Sequence, residues 1–450
     1  MDLMLAFALF LGAMLVCLAR GYELYWALTI GLAAALAVGL RRGYGVKALL
    51  RMVWSKMPKT MLVLRILALI GLLTGLWRSC GTIAFFIWGG VRVISPPLFV
   101  LLAFLLCVLL SYALGTSFGV ASTAGVVLLA LARSGGVNTA VAAGAVMSGI
   151  YFGDRGAPTS SCATLVAALT ETELYGNVKR MHRTALPAYI LCLGFYTVLS
   201  LRNPMGAADG ALLDALAARF DLSAWAVLPA FVMLLLPLLR VPIWIAMSVS
   251  GAAAFALSVL VQHESVWETL RVCVLGFHAE GVLAEVLTGG GFVSMLTTFL
   301  MLSVASMMAG VLEGIGAFDG TQETLEKVAG KLGLFPTTSL LSILCAMVLC
   351  NQTIVILMLE QLLGKVYLRR GAPREEFAMD IANSGVVIAG LVPWCIACAV
   401  PLSMLGVGTE ALPYAALLYM IPLSYLITKK HFLKGDGNRD ERNQTAQGHH

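Results

Sequence analysis

Charged side chains are scarce in this 450-residue chain. They make up 12% of the residues while 60% are hydrophobic, whereas a soluble globular protein carries about 25% charged residues. Too few charges are available to cover the surface of a water-soluble domain, and the mean hydropathy of +0.90 agrees with this. The composition therefore excludes a soluble globular protein and predicts one that is embedded in a lipid bilayer.

The alternation of apolar and polar residues that is typical of a transmembrane β-barrel is missing as well. The runs 3–19, 24–40 and 241–261 are continuously apolar, and each approaches the roughly 20 residues that a membrane-spanning helix needs. A bilayer offers no water to unpaired backbone groups, so such segments must span as helices. The predicted fold class is an all-α polytopic membrane protein.

Several chemical motifs are also absent. The ten cysteines lie mostly inside apolar runs, without the spacing of a disulfide framework or a metal site. No Gly-x-x-x-x-Gly-Lys-Ser/Thr loop occurs, so ATP-driven transport would need another subunit. No nucleophile–base pair is visible, and His182 and His278 are isolated and predicted to lie in loops. We expect neither an enzyme nor a resident cofactor, with a channel or a polytopic membrane enzyme as less favoured alternatives.

Basic residues indicate the topology, and their excess of +6 in short loops gives no support for nucleic-acid binding. Segment 1–59 ends in a stretch with six basic and no acidic residues between positions 41 and 59, typical of a cytoplasmic loop. The polar tail 429–450 begins with Lys429 and Lys430, and its residues 448–450 resemble part of a tag. We therefore predict a multi-pass protein of the bacterial plasma membrane with both termini in the cytoplasm.

Apolar runs are interrupted by Gly, Pro and small polar residues in two regions. The first region contains 115–119 and 153–161, and the second contains 351–353, 383–385 and 393–394. Interruptions of this kind are typical of broken or re-entrant transporter helices, in which the freed backbone groups line a cavity. The driving force of such a transporter would be an ion gradient.

The two regions have matching spacings. Thr116 and Asn351 are 235 positions apart (351 − 116), as are Gly81 and Gly316 (316 − 81), and we pair Asp154 with Asn383 at a spacing of 229 (383 − 154). The spacings favour an internal duplication, with chance matches as the alternative. It divides the chain into a first repeat at 60–202, a polar connector at 203–222, linking helices at 223–290 and a second repeat at 291–428.

Asp154 is the main candidate for chemistry, because a charge at the bilayer centre costs roughly 2.5 to 3.5 kcal/mol and is rarely kept without a function. We expect its carboxylate to bind a proton or Na⁺; a helix cap, an interfacial position or neutralisation by Arg155 are the alternatives. Two sets of polar side chains are predicted to complete the site, although they could instead bond neighbouring helices. They are Thr116, Ser117, Ser160 and Ser161 in the first half, and Asn351, Gln352, Thr353, Asn383 and Ser384 in the second.

Ordered motifs between about 103 and 423 resemble the NhaC family of Na⁺/H⁺ antiporters. They are Gly115-Thr116-Ser117, the stretch Ser148 to Arg155 with Pro158 and Ser160, Asn383-Ser384-Gly385, and Leu391-Val392-Pro393-Trp394. The resemblance implies an ion-transporter-superfamily architecture: two inverted repeats with re-entrant hairpins, an elevator motion and a homodimer. It also implies Na⁺/H⁺ antiport, with the lipid bilayer and a small cation as partners.

The sequence departs from the family pattern where the family carries further ligand-type side chains. Ser161, Ala382 and Asn383 stand at acidic positions of the pattern, and Cys395 replaces an asparagine. These departures leave Asp154 as the only expected core carboxylate. Since some relatives move organic solutes, the alternative function is Na⁺- or H⁺-coupled transport of a small amino acid or carboxylate, for which the amides of Asn351, Gln352 and Asn383 are suited.

Overall fold

The computed structural model describes residues 2–93, 96–206, 210–239, 241–317 and 322–430. Residues 207–209 of the predicted connector and positions 431–450 of the predicted tail, with the tag-like 448–450, lie outside the described residues. Within the described part the chain is helical, and its β pairing is an isolated bridge between Phe277 and Gly289. The predicted all-α class is confirmed.

The helices fall into four consecutive groups. The N-terminal group comprises α1 (Asp2–Arg20), α2 (Leu24–Arg41) and α3 (Val46–Ser55). The next comprises α4 (Met57–Ser79), α5 (Thr82–Val93), α6 (Phe99–Leu114), α7 (Ser117–Val120), a π-helical segment (Ala121–Gly125), α8 (Val126–Ser134), α9 (Thr139–Gly156) and α10 (Ser161–Leu169).

The third group comprises α11 (Leu174–Arg202), α12 (Gly210–Arg219), α13 (Leu228–Leu238), α14 (Ile243–Leu260), α15 (Val266–Leu275) and α16 (Ala284–Leu287). The fourth comprises α17 (Leu296–Gly314), α18 (Gln322–Leu332), α19 (Leu334–Leu349), α20 (Gln352–Arg369), α21 (Arg374–Ala382), α22 (Gly385–Ile388), α23 (Ile396–Leu405) and α24 (416–430).

The described helices have the length and apolarity of a membrane protein. Five of them are long and apolar enough to cross a bilayer, and the number rises to eight if each of three sharply bent pairs is taken as one span. Large apolar side chains such as Leu109, Leu191 and Ile427 are exposed, which is the expected arrangement where lipid replaces water. The chain is therefore an integral membrane protein.

The internal duplication is visible in the helices themselves. Helices α6 and α19 are both 16 residues long and begin 235 positions apart (334 − 99). Each ends in a residue of left-handed conformation, Gly115 with φ 68° and Cys350 with φ 55°. Thr116 and Asn351 then begin the next helical segments, 117–134 and 352–369, as N-caps. The predicted spacing of 235 is confirmed at this level.

The same spacing relates the segments that follow. Helix α9 spans 139–156 and the run from α21 to Leu391 spans 374–391, while α10 and α23 begin at 161 and 396. The turns before them match as well, since Ser160 N donates to Ala157 O and Cys395 N to Val392 O. The predicted pairing of Asp154 with Asn383 is therefore wrong: at 235 positions, Asp154 corresponds to Ala389.

The two repeats run in opposite directions. Arg374 at the start of α21 forms an ion pair with Glu171, just after α10. At the other end, Arg133 Nη2 donates to the carbonyls of Leu405 (3.1 Å) and Gly406 (2.9 Å), which places the end of α23 beside the turn that leads into α9. The path from α9 to α10 and the path from α21 to α23 are therefore antiparallel, and the predicted inverted repeats are confirmed.

The predicted segment boundaries remain predictions, but the predicted connector and the predicted tail both include helical residues. The connector contains α12, which buries Leu212 and Leu216 and so packs against the helical core. The start of the predicted tail, Lys429, lies in the last turn of α24 and forms ion pairs. Both segments are thus continuous with the folded protein at these positions.

Candidate functional site

The break between α6 and α7 packs against the break between α9 and α10. Gly115 has a positive φ of 68°, a conformation that glycine adopts at little cost. A Cβ atom at this position would also overlap Thr159 and the backbone of Ser160. Glycine is therefore required twice over, and it brings the two breaks of the first repeat into direct contact.

The end of α9 is held close to α6 by a second glycine. Gly153 N donates to Ser111 Oγ (3.0 Å), and Ser111 Oγ donates to Gly149 O (2.8 Å). A Cβ atom at Gly153 would overlap the backbone of Ser111. This close crossing of α6 and α9 fixes the position of the next residue in the chain, Asp154.

Asp154 lies at a junction of both repeats. It is 5% exposed, and Gln352 Nε2 at the start of α20 donates to its Oδ2 (3.3 Å) and to Val386 O (2.8 Å). The backbone amide and hydroxyl of Ser117 at the start of α7 face the carboxylate, and Cys162 Sγ lies 3.8 Å from Oδ2. The carboxylate is thus surrounded by neutral polar groups from three helix ends.

Ser160, and not Asp154, caps α10. Its hydroxyl oxygen accepts hydrogen bonds from Cys162 N (3.1 Å) and Ala163 N (3.2 Å) and donates to the backbone carbonyl of Asp154. Since the cap is already provided, the alternative in which Asp154 itself caps this helix is wrong. The Asp154 carboxylate remains available for another role.

Arg155 does not neutralise its neighbour. Its fully buried guanidinium donates from Nη2 to Asn383 Oδ1 (2.5 Å) and Met181 O (2.8 Å), and from Nη1 to Tyr189 OH (3.2 Å). These partners lie on α11 and at the end of α21. Asn383 therefore belongs to the Arg155 contacts and lies apart from the Asp154 carboxylate contacts.

The other predicted residues divide into helix caps, exposed positions and a second cluster. Thr116 accepts from Gly119 N (3.5 Å), and Asn351 accepts from Thr353 N (3.0 Å), so both residues cap helices at matching breaks. Ser161 and Thr353 are exposed, and Ser384 donates to Asp380 O (2.6 Å). Of the predicted set, Ser117 and Gln352 contact the Asp154 carboxylate, and Ser160 contacts its backbone.

A second carboxylate was missed by sequence reasoning. Asp380 is fully buried and accepts hydrogen bonds from Tyr367 OH (2.6 Å, Oδ2), Tyr425 OH (3.1 Å, Oδ1) and Lys429 Nζ (2.5 Å, Oδ2). The expectation that Asp154 is the only core carboxylate is therefore wrong. The available signal was an acidic residue between Met379 and Ile381 in an otherwise apolar stretch.

His182 was also misplaced. It lies in α11, where its Nε2 is 2.8 Å from Gly156 O and its Nδ1 is 3.1 Å from Tyr189 OH. It thus packs against the end of α9 and shares Tyr189 with Arg155. Among the described residues, no three His, Cys, Asp or Glu side chains are grouped closely enough to hold a metal ion.

Comparison with known proteins places these features in a family. A family model described as "Na+/H+ antiporter family" matches residues 149–429. An uncharacterised Na⁺/H⁺ antiporter of Haemophilus influenzae is 30% identical over 380 residues, 81% of each chain. The Na⁺/H⁺ antiporter NhaC of Alkalihalophilus pseudofirmus is 25% identical over 370 residues, 80% of each chain. The malate-2H⁺/Na⁺-lactate antiporter of Bacillus subtilis is 25% identical over 403 residues, 88% of this chain and 86% of its own.

Proposed function

The chain belongs to the Na⁺/H⁺ antiporter family, and we propose that it is a secondary active transporter that exchanges Na⁺, or another monovalent cation, for protons. The observation that carries this proposal is the Asp154 carboxylate, buried where helix ends of both repeats meet and contacted by Gln352 and Ser117. A carboxylate in such a place can hold either a cation or a proton. Competition between the two for one group couples their movements in opposite directions.

The neighbours of Asp154 are suited to both states. With the carboxylate ionised, Gln352 Nε2 donates to it as observed. When a cation binds, rotation of the Gln352 amide presents its oxygen, because an amide offers a donor at one end and an acceptor at the other. The Ser117 hydroxyl oxygen supplies a second neutral ligand of the kind that hard cations prefer. The transported ion is a substrate, and the proposal includes no resident cofactor and no enzymatic reaction.

The inverted repeats support alternating access to this site. Asp154 belongs to the first repeat and Gln352 to the second, so a displacement of one repeat against the other changes the contacts of the carboxylate. The proposal includes the elevator motion and the homodimer that the family resemblance implies. It places the face with Arg374 and Lys429 in the cytoplasm of a bacterium, because this face is rich in basic residues.

The second candidate function is exchange of a small organic solute. It is favoured by the similarity to the malate-2H⁺/Na⁺-lactate antiporter over 88% of this chain. The acidic positions of the family pattern that are occupied here by Ser161, Ala382 and Asn383 are consistent with an altered substrate. In this alternative Asp154 binds the coupling ion and the organic solute binds beside it.

Both candidates are tested by proton flux in liposomes that contain the purified protein. A Na⁺ gradient should drive a pH change that a choline gradient does not, and Asp154→Asn should abolish it. Asp214→Asn, on the exposed side of α12, is the matched control and should keep the flux. If Asp154→Asn keeps a Na⁺-dependent flux, the assignment of Asp154 fails. The second candidate replaces the first if liposomes with the folded wild type show no Na⁺-dependent proton flux, and if malate or lactate added inside the liposomes produces such a flux.

A further inference from the structure

The buried carboxylate of Asp380 has no counterpart at the matching position of the first repeat. At the internal spacing of 235 positions, Asp380 corresponds to Ala145 on α9. Asp380 lies in α21, between the junction at Asp154 and the face where Arg374 pairs with Glu171. It therefore places a second ionisable group on one side of the Asp154 site.

Every oxygen of this carboxylate is engaged. Oδ2 accepts from Tyr367 OH (2.6 Å) and Lys429 Nζ (2.5 Å), and Oδ1 accepts from Tyr425 OH (3.1 Å). Lys429 Nζ also lies 2.7 Å from Glu376 Oε1. Because the ammonium group already occupies the position of a cation between two carboxylates, the exchangeable particle that this cluster can accept without expelling a side chain is a proton.

The hydrogen bonds around Asp380 allow such an exchange. Tyr367 OH is 2.7 Å from Thr338 Oγ1 as well as 2.6 Å from Asp380 Oδ2. With the carboxylate ionised, the tyrosine hydroxyl donates to Asp380. With the carboxyl group protonated, the same hydroxyl can accept the new O–H and donate to Thr338. Both arrangements satisfy every buried group, which is the condition for holding a carboxyl group in two protonation states.

We propose that the Asp380 carboxylate is a second proton-binding site of this transporter, with Lys429 as its internal counter-cation and Tyr367 as the hydroxyl that reverses its hydrogen bond. When a proton adds to Asp380, an O–H bond forms and the Lys429 ammonium keeps its own protons and its contact with Glu376. When the proton leaves, the ammonium again neutralises Asp380. The inference that this proton is transported rests on the proposed antiport. The inference that it binds to Asp380 is independent of the antiport.

The groups that face Asp380 come from several elements. Helix α20 contributes Tyr367, α24 contributes Tyr425 and Lys429, and α21 contributes Glu376. Helix α19 contributes the hydroxyls of Thr338 and Ser342, the second of which donates to Ser384 Oγ (3.1 Å). From α9, Arg155 interacts with Tyr425. Just after α10, Glu171 forms an ion pair with Arg374. On α11, the Thr184 hydroxyl accepts a hydrogen bond from Asn383 Nδ2.

Proton binding is tested without transport, by infrared difference spectra of the protein in lipid as the pH is lowered. Each carboxyl group that becomes protonated adds a carbonyl-stretch band of a carboxylic acid. Asp380→Asn should remove one component. Asp154→Asn should leave that component in place, as should Glu326→Gln, which removes a half-exposed carboxylate paired with Arg369. An Asp380→Asn spectrum identical to that of the wild type at every pH overturns the proposal.

A milder variant covers the case in which Asp380→Asn does not fold. Tyr367→Phe keeps the carboxyl group but removes the hydroxyl that would accept its O–H. The Asp380 component should then move to higher frequency, because its hydrogen bond is lost. A component that keeps its position in Tyr367→Phe would also overturn the proposal.

The transport part is tested separately, from the reversal potential of the exchange in liposomes. Asp380→Asn should move one proton fewer per cation than the wild type, whereas Glu326→Gln should not change the ratio. An unchanged ratio in Asp380→Asn shows that the proton bound at Asp380 is not transported. A wild type without any exchange contradicts the proposed function and leaves the infrared result standing on its own.

Discussion

The guanidinium of Arg155 in the first repeat and the amide oxygen of Asn383 in the second form a buried hydrogen bond of 2.5 Å. Arg155 is directly bonded to Asp154 in the chain, yet its side chain joins α9 to α11 and α21 and leaves the carboxylate to Gln352. Asp154 thus supplies the carboxylate of the site, and the side chain of Arg155 joins the two repeats.

Asn383→Ala removes the acceptor of a buried charged donor. We expect the free energy of unfolding to fall by about 1 to 3 kcal/mol, because the Arg155 guanidinium loses a partner that water cannot replace. Chemical denaturation in detergent measures the change. Asn203→Ala, near the exposed end of α11, is the matched control and should change it by less than about 0.5 kcal/mol. Equal losses in the two variants would contradict this role for Asn383.

Gln352→Leu removes the donor to Asp154 and to Val386 O. We expect the Na⁺ concentration for half-maximal flux to rise by about tenfold, because the variant also loses the amide oxygen proposed to contact the bound cation, and a polar contact with a charged group contributes about 1.5 kcal/mol. The control is Gln262→Leu, which removes amide hydrogen bonds to the carbonyls of Cys80 and Asp221, away from the site. An unchanged concentration in Gln352→Leu would show that this amide does not act on the bound ion.

Gly153→Ala tests the close crossing of α6 and α9. The added methyl group overlaps the backbone of Ser111, and overpacking of this kind costs about 1 to 3 kcal/mol. We expect a lower unfolding midpoint and reduced flux, because Asp154 follows directly in the chain. Gly194→Ala in α11 is the control, since a Cβ atom there meets nothing within 4 Å. The prediction fails if both variants are equally stable.

Tyr175→Cys and Glu410→Cys test the inversion of the repeats. The two positions are 235 apart (410 − 175) and both are exposed, but one lies near Glu171 and the other near Leu405, at opposite ends of the repeats. Nine of the ten native cysteines are buried, so Cys273→Ser gives a suitable background. An impermeant thiol reagent added to sealed vesicles should label one of the two introduced cysteines. Labelling of both from the same side would contradict the inversion.

The sequence predicts the parts of this fold that depend on local composition. Apolar runs long enough to span became helices, and the breaks at Gly115 and Pro158 lie where glycine, proline and small polar residues interrupt these runs. The predicted spacing of 235 positions is confirmed because it relates two residues with the same backbone conformation, Thr116 and Asn351. Pairing Asp154 with Asn383 failed because it matched polar side chains instead of backbone positions.

The side-chain partners of the site were less predictable. Nothing in the order of residues shows that Arg155 bonds to Asn383, 228 positions away, in preference to its neighbour. Asp380 lies within a continuous helix, so it lacks the neighbouring helix break that marks Asp154 in the sequence. Its three side-chain partners, Tyr367, Tyr425 and Lys429, come from α20 and α24, so the cluster exists only after the chain has folded.

The two repeats of this protein have the same backbone fold, but their charged side chains lie at different positions. If the repeats exchange conformations, the backbone of their paired segments returns to the same arrangement facing the opposite side, so these segments by themselves favour neither orientation. Any energetic preference between the two orientations must then come from positions at which the repeats differ, such as Asp154 against Ala389 and Asp380 against Ala145. A preference of this kind would be a property of the side chains carried by the shared backbone, and substitutions at such positions would change it.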